Sequence, residues 1–186
     1  MISNVIAKVC HDLISPVNGL GLFVECIEGD LSKDASDQLN KYLNNFKAVA
    51  EMFRMFGQND ESDINIDQLT KIIKNHANLK GIECQFHIDD LSDVVKVWFA
   101  KSIAYMYLFA HKSIIKSGSI NFFVNQNSCD LTVSSVYNLT DMDISAISNN
   151  SRDVMLYAGI QEIKKYFAKQ IDFQKIDNNN AKIEMV

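Results

Sequence analysis

The sequence predicts an α+β fold in which an N-terminal helical hairpin precedes an α/β sandwich. Apolar residues recur every three or four positions through residues 2–27 and again through residues 33–56, which is the spacing of helices with one buried face. From residue 61 onward, short runs of alternating apolar and polar residues separate further helical patterns, as in a sheet covered by helices. We therefore expect two domains, comprising residues 1–60 and 61–186.

The composition is that of a globular protein with a proper core, since the 186 residues are 47% apolar and 22% charged. No apolar run approaches the roughly 18 residues of a membrane span. The net charge of −5 divides into −3 for residues 1–60 and −2 for the rest, so no basic surplus favours nucleic-acid binding. The four cysteines form no C-x-x-C pair and the first residues resemble no secretory signal. We expect a reduced, cytoplasmic protein without structural zinc.

The two N-terminal helices should be antiparallel, because only residues 29–32 connect them. Their apolar faces are too wide to cover one another. The side chains that cannot all point at a single partner helix include Leu20, Val24, Tyr42, Phe46 and Phe53. We expect a second copy to cover this surface, forming a homodimer with a four-helix bundle built from residues 1–57 of each chain. The alternative is that the C-terminal domain covers it within one chain.

The second domain should contain a mixed or antiparallel sheet with helices on one face. Asp67 is the expected N-cap of its first helix. In chain order we expect a helix at 67–79, a strand at 82–88, an apolar helix at 94–115, strands at 119–125 and 129–136, a helix at 151–168, and strands at 171–175 and 181–185.

The only proline, Pro16, lies inside the first helical pattern, where proline costs about 3 kcal/mol. Five residues before it stands His11. A rotation of 100° per residue places His11, Ser15 and Asn18 on one polar stripe, away from the apolar seam. An exposed imidazole with an ordinary pKa of about 6.5 has an unprotonated ring nitrogen at neutral pH and is a nucleophile. The adjacent carboxylate of Asp12 can orient the ring or hold its proton.

The string CHDLISPVN, residues 10–18, has a His followed at once by an acidic residue and five positions on by a proline. Early in a helical hairpin, this pattern resembles the H-box of the dimerisation and histidine-phosphotransfer domain of two-component sensor kinases. In a chain of this length with no sensor region, the full string resembles more closely the ChpT-like histidine phosphotransferases of alphaproteobacteria. The resemblance implies a hairpin followed by a degenerate domain similar to the ATPase domain of a histidine kinase.

By this resemblance the protein would relay a phosphoryl group from the receiver aspartate of a hybrid histidine kinase to the receiver aspartates of response regulators. His11 would be the phosphoacceptor and Asp12 its acidic neighbour. The supporting residues would be Ser15, Pro16 and Asn18.

Beside the polar stripe lie Lys8, Ile14 and Leu22, which we interpret as a docking surface for a receiver rather than as isolated surface residues. The receiver would bring the Mg²⁺ and the cation that stabilise the transferring phosphoryl group. We therefore expect neither a cofactor nor a metal site in this chain.

The second domain lacks the residues with which a kinase ATPase domain holds a nucleotide. Such a domain needs an Asn on its central helix to hold Mg²⁺, an Asp followed by glycines to bind adenine, and a glycine-rich lid. The long apolar helix contains no Asn, Gly118 and Gly159 are the only glycines beyond residue 81, and neither Asp141 nor Asp143 adjoins a glycine. We expect no nucleotide binding, which would separate a phosphotransferase from an ATP-dependent kinase.

A second hypothesis is a non-catalytic adaptor whose hairpin binds a receiver or kinase and regulates it without carrying phosphate. An ATP-dependent histidine kinase is a distant third. We interpret His76, His87 and His111 as structural, because no pair has metal-ligand spacing. Cys10 adjoins His11, but neighbours in a helix point about 100° apart, so a Cys–His nucleophile pair is disfavoured.

Overall fold

The computed structural model describes residues 13, 17–20, 33–141, 143–148 and 154–185, and it has the predicted α+β class. In chain order its elements are α1 (Lys33–Phe56), β1 (Asp63–Asn65), α2 (Ile66–Asn78), β2 (Ile82–Ile88), β3 (Val94–Lys96), α3 (Val97–Ser113), β4 (Gly118–Asn125), β5 (Ser128–Ser135), a 3₁₀ turn (Ile144–Ala146), α4 (Val154–Phe167), β6 (Ile171–Lys175) and β7 (Asn180–Met185). Among the described helices, none is long and apolar enough to cross a membrane.

The main sheet has five strands in the order β2-β4-β5-β7-β6. The β2–β4 pair is parallel and the other pairs are antiparallel. Alternate residues of β4 and β5 point inward, so that Ile120 pairs with Val133 and Phe122 with Leu131, all of them buried. The helices cover this inner face, and α3 lies at the centre of the core with almost its whole length buried. The continuously apolar sequence of α3 is explained by this position.

Two predicted helix starts were wrong because of a second, two-stranded sheet. Residues 94–96, predicted to begin the long helix, form β3 and pair with β1, placing Ile64 opposite Val95. The helix therefore starts at Val97. Likewise α2 starts at Ile66, and its N-cap is Asn65, whose Oδ1 accepts hydrogen bonds from the backbone N–H of Asp67 and of the next residue. Strands of three residues are too short to show an alternating pattern in the sequence.

The last third of α1 is built into the core of the sandwich. Met52 and Met55 are only 2% and 1% exposed and belong to the same apolar cluster as α2 and α3. Phe53 and Phe56 pack against the cluster of Tyr105 with two residues at the start of α4. From the sequence, either a second copy or the C-terminal domain was expected to cover the wide apolar face of the hairpin. The C-terminal domain covers part of that face.

The described part of the first helical pattern lies against α1. Residues 17–20 are helical, and a methyl group added to Gly19 would lie 2.9 Å from Cε1 of Tyr42. Leu20 is half-buried, whereas Val17, predicted to lie on the buried face, is 47% exposed. Most of residues 2–27 lies outside the described part of the chain, so the full hairpin stays a prediction.

Candidate phosphoacceptor helix and the contact between α3 and α4

The predicted site residues fall mostly outside the described residues. This holds for the phosphoacceptor His11 and its neighbour Asp12, and also for Lys8, Ile14, Ser15, Pro16 and Leu22. Asn18 is described: it is helical and exposed. Leu13 and Leu20 are seven residues apart, on the same side of a helix, and both are half-buried. The roles assigned to all of these residues stay predictions.

Helix α3 is packed directly against α4. A methyl group on Gly159 of α4 would lie 2.7 Å from Cγ of Tyr105 and 2.8 Å from its Cβ. The Tyr105 ring also contacts Phe56 of α1, with ring centroids 4.7 Å apart. Burial raises the pKa of the Tyr105 hydroxyl, and the nearby carboxylates of Glu162 and Asp60 raise it further. Side chains therefore fill the contact between α3 and α4.

A cluster of polar side chains that the sequence did not predict ties α1 to this helical layer. Lys101 of α3 is 8% exposed, and its Nζ lies 2.7 Å from Oδ1 of Asp60 and 2.7 Å from the Gln58 carbonyl oxygen. The hydroxyl of Tyr166 donates to Oδ2 of Asp60 at 2.6 Å, and Nζ of Lys165 lies 2.7 Å from that hydroxyl. We call these five residues the Asp60 cluster.

Electrostatics favour the ionised form of Asp60. Its pKa is lowered mainly by the hydrogen bond from Lys101 and then by that from Tyr166. The sequence signal that could have found the cluster is Lys101 itself, the one lysine well inside an otherwise apolar helix. A charged residue at such a position needs a partner, although the sequence does not say where in the chain that partner lies.

The other histidines lie in two different settings. His76 and His111 face each other across α2 and α3 with ring centroids 5.9 Å apart, and Nδ1 of His76 lies 2.8 Å from the hydroxyl of buried Tyr107. His87, by contrast, is exposed on the outer face of the sheet and stacks on Phe123 at 5.0 Å.

The described cysteines and carboxylates assemble no metal site. Burial raises the pKa of the Cys84 thiol to about 12 and raises that of buried Cys129 as well, so neither is a ready thiolate. Asp141 is exposed and pairs with Lys175 at 2.9 Å. Within the described residues, no three His, Cys, Asp or Glu side chains are grouped so that they could hold a metal ion.

The sequence matches no family model and no curated protein. Among solved structures, a bacterial phosphotransferase is similar over 99% of this chain and 94% of its own, with a TM-score of 0.83 and 15% identical residues. This chain has the fold of that phosphotransferase. The likeness covers nearly the whole of both chains, so the predicted α+β class with a mixed sheet is confirmed, whereas the N-terminal hairpin stays a prediction.

Two kinases are also similar to the chain at lower scores. The histidine kinase AdeS of Acinetobacter baumannii has a TM-score of 0.47 and 10% identity, covering 94% of this chain and 96% of its own. The histidine kinase domain of a blue-light-activated kinase from Erythrobacter litoralis has a TM-score of 0.43 and 12% identity, covering 93% of each chain.

Proposed function

We propose that this protein is a histidine phosphotransferase that relays a phosphoryl group between receiver aspartates through a phosphohistidine at His11. One observation carries the proposal: a solved bacterial phosphotransferase shares the fold over 99% of the chain. The string from His11 to Pro16, early in the chain, supports the choice of residue. The partners would be the receiver domain of a hybrid histidine kinase and the receivers of response regulators.

The proposed chemistry needs only a nucleophile that can later leave. A neutral ring nitrogen of His11 attacks the phosphorus of a receiver acyl phosphate, the N–P bond forms, and the P–O bond to the aspartate breaks as the carboxylate leaves with the electron pair. In this scheme the negative charge of the Asp12 carboxylate would favour keeping the proton on the other ring nitrogen. The same steps in reverse deliver the group to an acceptor aspartate. Mg²⁺ comes with the receiver in this scheme.

The exposure of Asn18 supports an accessible phosphoacceptor. Seven residues span nearly two full turns of a helix, so a regular helix from 11 to 18 would bring His11 to the same exposed side as Asn18. In the proposal Ser15 belongs to this side, Pro16 is a supporting residue, and Lys8, Ile14 and Leu22 dock the receiver.

The proposal is tested with an isolated receiver domain that carries a radiolabelled phosphoryl group. Mixing it with this protein should move the label onto this chain as an acid-labile, alkali-stable adduct, as expected of an N–P bond. A receiver that binds this protein without transferring label would contradict the proposal and favour the adaptor. A protein that neither binds nor accepts label from any receiver would contradict both.

We expect ATP with Mg²⁺ neither to bind measurably nor to label the protein. The reason is that α3 contains no Asn and that neither Asp141 nor Asp143 adjoins a glycine. Calorimetry measures the binding, with a nucleotide-binding histidine kinase domain as the positive control. Saturable binding at micromolar ATP would contradict this prediction and revive the kinase hypothesis.

We also propose that the protein is a homodimer joined by a four-helix bundle of residues 1–57. Leu43 of α1 is 47% exposed, and Val17 is exposed to the same extent. A shallow groove runs along this side of α1, lined by Leu43, Phe46 and Ala50 together with Asn44, Lys47, Glu51 and Arg54. An exposed apolar strip of this kind is typical of an interaction surface. In the proposed dimer, this strip packs against the same strip of a second copy.

A charge in the groove should therefore split the dimer. Burying a carboxylate in an apolar interface without a partner is costly, so Phe46→Glu should convert the protein to a monomer at tens of micromolar. Light scattering measures the mass. Gln38→Glu is the matched control, because Gln38 is exposed and lies on the opposite side of the helix from Lys47 of the groove. A wild-type protein that is already monomeric at this concentration would contradict the bundle.

A further inference from the structure

The Asp60 cluster lies where α1 ends and the second domain begins. Helix α1 closes with the backbone N–H of Gly57 bonded to the carbonyls of Phe53 and Arg54, and the chain then turns through Gln58 to Asp60. The Nζ of Lys101 bonds both the Gln58 carbonyl and the Asp60 carboxylate. One lysine of α3 therefore binds the turn that follows α1 at two points, and its positive charge lies beyond the C-terminal end of the helix, where cations are favourable.

The cluster joins three elements rather than two. Asp60 is held by α3 through Lys101 and by α4 through Tyr166, whose ring stacks on Trp98 of α3 at 4.9 Å between centroids. The backbone N–H of Trp98 also donates to the carbonyl oxygen of Asp60 at 3.2 Å. The side chain and the main chain of this one residue are therefore both bound to the helical layer.

The remainder of α1 is poorly anchored by apolar contacts. Among its 24 residues the buried ones are Ala48, Met52 and Met55, all in the C-terminal half. At a rise of 1.5 Å per residue the helix is about 36 Å long, so a 10° change of direction at its C-terminal end moves the far end by about 6 Å. Apolar contacts are not directional and tolerate such a rotation, whereas hydrogen bonds weaken steeply away from linearity.

We propose that Asp60 is a positioning residue that, through Lys101 and Tyr166, fixes the direction in which α1 leaves the sandwich. The helix and the sandwich then move as one body. This inference does not depend on the proposed function, because it is tested by a distance and not by phosphotransfer. In this proposal the polar turn after α1 sets the direction of the helix, which the apolar contacts of the core alone do not do.

Double electron–electron resonance measures the distance between two spin labels, and a suitably placed pair reports the direction of α1. One label is placed at Asp37→Cys near the start of α1 and the other at Asn127→Cys in the β4–β5 turn, both exposed positions. A reference pair at Asn127→Cys and Lys164→Cys reports the sandwich alone. The native cysteines other than buried Cys129 are replaced by serine, and an excess of unlabelled protein removes distances between copies.

In Asp60→Ala we expect the α1–sandwich distance to shift or broaden by about 6 Å, the displacement of the helix end for a 10° rotation, with the reference pair unchanged. The matched control is Asp63→Ala at the start of β1, because Asp63 pairs with Lys96 at 2.8 Å where both side chains are about half exposed. It should behave as the wild type. An Asp60→Ala protein with wild-type distributions for both pairs would overturn the proposal.

A milder variant decides the question if Asp60→Ala does not fold. Tyr166→Phe removes only the hydroxyl that bonds Asp60 and keeps the stacking on Trp98. We expect the α1–sandwich distribution of Tyr166→Phe to broaden by a smaller amount than 6 Å. An unchanged distribution in this folded variant would overturn the proposal in the same way.

Discussion

A His11→Gln variant is expected to accept no label from a phosphorylated receiver, whereas the wild type is labelled within the same time. Glutamine keeps the length and hydrogen-bonding capacity of the side chain but has no ring nitrogen that can attack phosphorus. The loss should therefore be complete within detection rather than partial. The measurement is the label retained on this chain after electrophoresis under alkaline conditions.

The matched control for this variant is His87→Gln, which removes an exposed imidazole from the outer face of the sheet. It should accept label at the wild-type rate. Calorimetry of receiver binding to His11→Gln distinguishes a loss of phosphotransfer chemistry from a loss of docking. Undiminished labelling of His11→Gln would show that the phosphoacceptor lies elsewhere and would remove the basis of the relay proposal.

A Gly159→Val variant is expected to lose about 3 kcal/mol of unfolding free energy, since overpacking of a filled interface costs that much or more. The clash includes Cβ of Tyr105, which is fixed by the backbone of α3 and cannot rotate away. The two helices must separate instead. The higher helix propensity of valine over glycine recovers only a few tenths of a kcal/mol. For a chain of this length the midpoint of thermal unfolding should fall by about 10 °C.

Gly57→Ala is the matched glycine control, because the nearest atom to an added methyl group there is the Arg54 carbonyl oxygen at an ordinary 3.6 Å. Its stability should stay within about 0.5 kcal/mol of the wild type. Urea denaturation monitored by circular dichroism measures both variants. Equal stabilities of Gly159→Val and the wild type would mean that α3 and α4 do not approach as closely as described.

Local patterns predicted most elements of the sandwich correctly, and non-local contacts account for the errors. Asp67 and Asn65 are both good capping residues, and the choice between them was made by the β1–β3 pairing rather than by the residues near the helix. Similarly, Val94 and Val95 continue the apolar pattern of α3 but are held extended by that same pair. Pairing between short strands 30 residues apart leaves no periodic signal in the sequence.

The width of an apolar face can be read from the sequence, but its partner cannot. Phe53 and Phe46 belong to the same predicted face of α1. The structure places Phe53 against Tyr105 of the second domain, whereas Phe46 lines the open groove. In the same way, the contact of Asp60 with Lys101 joins residues 41 positions apart, which no local pattern predicts. The candidate site was predicted from the string around His11. The residue types in that string indicate the chemistry, but they do not specify which other residues contact them.

The strand order has a consequence for how the chain is made. Strand β7 lies between β5 and β6, so the sheet has a gap until residues 180–185 have been synthesised. During translation β5 therefore has an unpaired edge, and β6 emerges before the strand that joins it to the sheet. Such open edges are prone to pair with other chains. Completion of the sheet must wait for β7, so the pairing of Leu131 with Ile183 and of Val133 with Ala181 forms late, after nearly all of the described chain has been made.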